Sequence, residues 1–131
     1  MADLTISPVS VSLSGAAITK KSFAGMSNII ITPTTAQSSL NFEDLFVVVE
    51  NYSTTASCVV TVKAGDDYSE VGIGDAATVT VATSSTKVIG GKKLESARFK
   101  NKNGYLVLGV SPSSACTVYA VMNPFTALNP K

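Results

Sequence analysis

Apolar residues in this chain recur at every second position over short runs. Nowhere do they recur at the third and fourth positions over eleven residues or more. A two-residue period puts one face of an extended strand in a core, while an amphipathic helix needs the 3.6-residue period that is missing here. The one helix-like stretch, Lys92-Lys93-Leu94-Glu95-Ser96, is a single turn at most. The chain is therefore expected to build its core from strands alone.

Runs rich in Val, Ile, Thr and Phe fall at residues 4–7, 9–13, 28–32, 45–50, 58–64, 78–83, 97–100, 105–110 and 116–122. They are divided by clusters of Gly, Pro, Asn, Asp and Ser, the residues that favour turns. Pro8 marks an edge or a kink in the first pair, and Pro33 ends the third run. Residues 45–50 are apolar on both phases and read as a central strand covered on both sides. In residues 58–64, Cys58, Val60 and Val62 share the inward phase, with Thr61 and Lys63 outward. The turn Ser53-Thr54-Thr55-Ala56-Ser57 would join these two runs as a meander, and Asn103-Gly104 is a two-residue hairpin signal. The expected fold is all-β: one antiparallel β-sandwich or jelly-roll-like domain over residues 27–123. The Ser-rich residues 1–26, including a loop-like Lys20-Lys21-Ser22-Phe23-Ala24-Gly25, would be an extended N-terminal arm or edge strands, and residues 124–131 an irregular C-terminal tail.

At 131 residues the chain is long enough for one core without metals or disulfides. Only 15% of residues are charged, whereas Ser and Thr together fill 31 positions, so the surface is solvated by hydroxyls. Such a surface is cheap to bury against a partner. The net charge of +1 argues against a nucleic-acid binder. The lysines at Lys20-Lys21 and at Lys92, Lys93, Lys100 and Lys102 read as solvated turns, or as contacts to an acidic partner surface. The N-terminus has an early Asp3 and no basic and apolar leader pattern, and no apolar run is long enough for a membrane helix. Synthesis in a cytoplasm is expected, and there Cys58 and Cys116 would stay reduced as small buried hydrophobes. A bridge between two packed strands is the other reading of that pair.

The chain has no histidine, which removes the usual general base near neutral pH and every Ser-His or Cys-His arrangement. With 17 serines, no Ser–Lys spacing stands out, and the adjacent carboxylates Glu43-Asp44 and Asp66-Asp67 would point apart. No enzyme is expected, and no cofactor. Gly72-Ile73-Gly74-Asp75-Ala76-Ala77 has the letters of a dinucleotide loop, but a strand-like Thr78-Val79-Thr80-Val81 follows where a helix must stand. The loop from Ala64 to Asp75 carries four carboxylates, Asp66, Asp67, Glu70 and Asp75, and is the best candidate for Ca²⁺, although it lacks the order of the helix-flanked calcium loop. A solvated loop or polar interface is the preferred reading. The Asn51-Tyr52-Ser53 glycosylation pattern means little without secretion.

Four segments in succession carry a resemblance. They are Val60-Thr61-Val62-Lys63-Ala64-Gly65-Asp66, Gly74-Asp75-Ala76-Ala77-Thr78-Val79-Thr80-Val81, Lys87-Val88-Ile89-Gly90 and Leu94-Glu95-Ser96-Ala97-Arg98-Phe99-Lys100. In this order, over residues 45–121, the chain resembles small all-β structural proteins of tailed bacteriophages. The resemblance implies a capsid decoration (cement) protein: a virion component on the outer capsid surface, made in the host cytoplasm, with the phage major capsid protein as partner and no active site. A homo-oligomer is expected, a trimer before a dimer, with no nucleic acid and no membrane as partner. Candidate interface residues are Leu4, Ile6 and Val9 on the N-terminal segment, which could add to a partner's sheet edge, with the lone arginine Arg98, and Phe125 and Leu128 on the tail. The alternative is a soluble β-sandwich module that binds a glycan or Ca²⁺.

Overall fold

The computed structural model describes residues 3–12, 14–34, 44–63, 77–90, 104–111 and 115–122. These hold ten strands: β1 (Asp3–Ile6), β2 (Val9–Ser10), β3 (Lys21–Ser22), β4 (Asn28–Ile31), β5 (Leu45–Asn51), β6 (Cys58–Val62), β7 (Ala77–Val81), β8 (Ser85–Gly90), β9 (Leu106–Ser111) and β10 (Cys116–Met122). They form two sheets packed face to face. The first has the order β1-β4-β9-β6-β7; the second has the order β2-β10-β5-β8, with β3 also paired to β10. The all-β expectation holds, and the architecture is an open two-layer sandwich.

The core follows from the two-residue period. In the first sheet Leu4 stands beside Ile29, Ile6 beside Ile31, Ile29 beside Leu108, and Leu108 beside Val62. In the second, Val47 and Val49 stand beside Ala120 and Val118. All of these are buried except Leu4, which packs against the cluster as a half-buried neighbour. β4, β6, β9 and β10 thus alternate a core residue with an outward one, as residues 58–62 were expected to do. Phe23 closes the layer from the side. It is fully buried, and its N–H donates to Cys116 O at 3.2 Å.

Four expectations are corrected. The sheets are mixed and not purely antiparallel, because β1 runs parallel to β4 and β2 runs parallel to β10. Of the two readings of the N-terminal residues, the described ones take the form of edge strands and not of an arm: β1 and β2 extend both sheets and Ile6 is buried in the core, because the alternation of residues 4–6 matches that of 29–31. The stretch around Lys20–Gly25 is no plain loop, since Lys21 and Ser22 pair with Val118 and Thr117 and Phe23 follows them inward. Finally, residues 45–50 and 58–64 are no meander. β5 lies in the second sheet and β6 in the first, so the 52–57 connection crosses between layers. The strand expected at 97–100, the turn residue Asn103, the helical turn at 92–96 and the tail from 124 fall outside the described residues.

The crossing from β5 to β6 meets a second one, from β7 to β8, at a single corner. Asn51 ties them together from the end of β5. Its side-chain amide donates to Ala56 O at 2.9 Å, Val81 O at 3.1 Å and Ala82 O at 3.3 Å, and its Oδ1 accepts the Ser53 N–H at 3.0 Å. Ser53 Oγ accepts the N–H groups of Thr55 and Ala56, and the Ser84 N–H donates to Ser53 O. A buried amide is tolerated only when its polar atoms are satisfied, and those of Asn51 are. At the far end of β8, Gly90 has φ +145°, and a Cβ there would run into Leu45 O, so glycine is required.

Candidate interaction surface

Both sheets face the same core, and their outer faces differ. On the first sheet the outward rows are Asp3 beside Asn28 beside Gly109 beside Thr61 beside Thr78, then Thr5 beside Ile30 beside Val107, and Val59 beside Thr80. Hydroxyls dominate this face. Thr61 and Thr78 sit 3.4 Å apart, Asn28 donates to Asp3 Oδ1 at 3.0 Å, and the Lys63 stem lies over Gly109, where a Cβ would stand 2.7 Å from Lys63 Cε.

On the second sheet the outward rows are Gly90 beside Phe46 beside Val121 beside Val9, then Val88 beside Val48 beside Tyr119, then Thr86 beside Glu50 beside Thr117. The first two rows are apolar. Phe46 is 40% exposed and Val88 61%, while Val48, on the middle strand between Val88 and Tyr119, is at 9%. An apolar patch spread over adjacent strands of one sheet face is the usual mark of a contact surface, whereas isolated exposed apolar residues need no explanation.

The third row carries a polar cluster centred on Glu50 Oε1. It accepts from Tyr52 Oη at 2.8 Å and from Thr117 Oγ1 at 3.0 Å, and pairs with Lys20 Nζ at 3.0 Å. Lys20 also donates to Tyr52 Oη at 3.2 Å and lies 5.9 Å from the Tyr52 ring centre. Burial pushes the Glu50 carboxyl up, but the hydrogen bonds from Tyr52, Lys20 and Thr117 outweigh that and hold it below its usual 4.5. Lys20 is raised above 10.5, mainly by its hydrogen bond to Glu50 and then by that to Tyr52. The cluster fixes the segment leading into β3 onto one end of the sheet, so the apolar rows have a polar border.

Of the residues singled out from sequence, Val9 stands beside Val121 at the margin of the apolar rows. Leu4 and Ile6 face the core, Ile6 with 8% exposure. Arg98, Phe125 and Leu128 lie outside the described residues, as does the whole acidic loop from Ala64 to Asp75. The structure adds Phe46, Val48, Val88, Tyr119 and Val121. Their signal was in the sequence: Phe46 and Val48 make residues 45–50 apolar on the second phase too. The strand is central, between β10 and β8, but Phe46 on its second face is open to solvent.

Other chemistry is sparse. Among the described residues no group of three His, Cys, Asp or Glu could hold a metal, and no helix is long and apolar enough to cross a membrane. A cleft of about 210 Å³ between β1, β2 and β10 is lined by Thr5, Ser7, Thr19, Lys21 and Tyr119 among others. Comparison with known proteins returns no matching family model, no curated protein and no solved structure.

Proposed function

We propose that this protein is a non-catalytic structural subunit that beds the outer face of its second sheet against another protein surface, and that this surface is the outside of a phage capsid. The observation that carries the reading is the pair of apolar rows through Phe46 and Val48, with Val88, Tyr119 and Val121 beside them. The low charge, the hydroxyl-rich remainder and the absence of histidine agree with a subunit that contacts and does not catalyse. The choice of a phage shell as partner rests on the resemblance of four ordered segments to bacteriophage structural proteins. Many weak copies of one contact, repeated over a lattice or gathered in a symmetric oligomer, would hold such a subunit firmly.

The test is co-sedimentation with empty capsids assembled from a tailed-phage major capsid protein taken from the genome that encodes this chain. Saturation in a fixed ratio to capsid protein is expected, with loss of binding in Phe46→Glu and Val88→Glu variants that still fold. A protein that fails to sediment with shells at any ratio overturns the reading. So does one whose binding ignores both substitutions.

A further inference from the structure

Cys58 opens β6 in the first sheet, and Cys116 opens β10 in the second. Nothing in the sequence says that they meet. The registers bring them together: Cys58 stands beside Val81, Cys116 stands beside Asn51, and Asn51 donates across the layers to Val81 O at 3.1 Å. Four residues thus form a square whose one cross-layer side is a hydrogen bond. The opposite side is the cysteine pair, whose thiols are both buried, joined by no disulfide, and in hydrogen-bonding contact with each other. At this corner the sheets come close enough for one amide side chain to span the gap, against the roughly 10 Å usual between stacked sheets.

We propose that Cys58 and Cys116 are a disulfide site: a covalent clasp between the two sheets, open as folded and closed by exchange with a low-molecular-weight disulfide such as glutathione disulfide. In the first step one cysteine, as thiolate, attacks the glutathione disulfide and displaces one glutathione. In the second, the other thiolate attacks the protein sulfur of that mixed disulfide and displaces the other glutathione. The two cysteines lose two electrons and two protons in all. The electrons reduce the glutathione disulfide, and the protons end on two glutathione thiols.

The same burial that juxtaposes the thiols restrains them. Cys58 is solvent-inaccessible, and burial, with the neighbouring Cys116, pushes its pKa up to about 11. Very little thiolate exists near neutral pH, so closure needs either alkaline conditions or opening of the 52–57 corner. A chain folded where thiols are kept reduced would carry the clasp open, and would close it slowly after transfer to oxidising surroundings.

The experiment treats the intact protein with glutathione disulfide at about pH 9 and in mild urea, conditions that raise thiolate and opening. It then counts thiols after denaturation, with intact mass and a melting curve. Expected are the loss of both thiols, a mass lower by two hydrogens, no intermolecular dimer, and a melting temperature raised on the order of 10 °C and reversed by dithiothreitol, as for closure of a long loop. Cys58→Ser and Cys116→Ser proteins should show no such rise. Retention of glutathione on either cysteine as the end product overturns the proposal. So does dimerisation through cysteine, or an internal bridge that lowers the melting temperature.

Discussion

The two outer faces of the sandwich are made by the same alternation and differ in what fills it. Where the inward phase of the first sheet is Ile29, Ile31, Leu106 and Leu108, its outward phase gives Thr5, Thr61, Thr78 and Thr80 beside a few half-buried apolar groups. In the second sheet the inward phase is Val47, Val49, Val118 and Ala120, and the outward phase is apolar again at Phe46, Val48, Val88 and Val121. Folding needs only the inward phase. An outward phase that is apolar over two of its three rows is more than the monomer's core requires, and the proposed contact surface would account for it.

The largest effect should come from removing residues 2–13. Both sheets lose an edge strand, but only the first loses core side chains, Leu4 and Ile6. Burial of two such side chains and the lost pairing amount to on the order of 5 kcal/mol, a large part of the stability of a domain this size. Urea unfolding should find the truncated chain largely unfolded, and a stable truncated sandwich would mean that the first sheet does not depend on that edge. Next is Asn51→Ala, which leaves the carbonyls at Val81 and Ala82 and the Ser53 N–H without their partner at the corner where the sheets are joined. A loss of about 2–4 kcal/mol by denaturant titration is expected. Val88→Glu and Thr80→Glu then set the faces against each other directly. Each should change stability by less than about 1 kcal/mol, since both are exposed, yet only Val88→Glu should weaken the proposed capsid binding, by at least about tenfold. Equal loss from both substitutions would erase the distinction between the faces.

The smallest effect belongs to the polar border. Because Glu50 titrates below its usual value when folded, its contribution is present above about pH 4.5 and is lost as pH falls through the folded pKa. Lys20, raised when folded, contributes below 10.5 and loses its contribution as pH rises through the folded value. Lys20→Met should therefore move the Glu50 carboxyl upward in an NMR titration and barely change the melting temperature at pH 7. A Glu50 that titrates unchanged in that variant would show that Tyr52 and Thr117 alone hold the carboxylate.

How much of this was legible follows from what a two-residue period encodes. It says which residues share a face, so Cys58, Val60 and Val62 were placed inward correctly, and β5 was placed at the centre of a sheet. It does not say which sheet a strand joins. The β5–β6 crossover, the parallel docking of β1 and the meeting of Cys58 with Cys116 depend on tertiary pairing alone. β8 was overlooked because an edge strand with one covered side can be written Ser85-Thr86-Lys87, letters that read as a turn. Lys87 has the register of a core residue, opposite Val49, and is exposed. A charge so placed keeps an open edge from pairing with another copy. The outer apolar face was visible in the composition of residues 45–50 but was assigned to burial, since sequence alone does not separate a covered face from one awaiting a partner.

Among the described strands, only β6 and β7 pair with their neighbour in the chain. β10, the last of them in sequence, sits inside the second sheet, with β5 on one side and β2 and β3 on the other. A growing chain emerging from the ribosome can therefore pair β5 with β8 but cannot complete that sheet until β10 is made. β2, β3 and β5 must wait, unpaired with one another, for residues that are translated well over sixty positions after β5 begins. Loop closure over such separations slows folding and leaves one edge of valine-rich β5 open meanwhile. A chain that stops anywhere before Cys116 lacks the strand that joins β2 and β3 to β5, so its second layer stays in pieces.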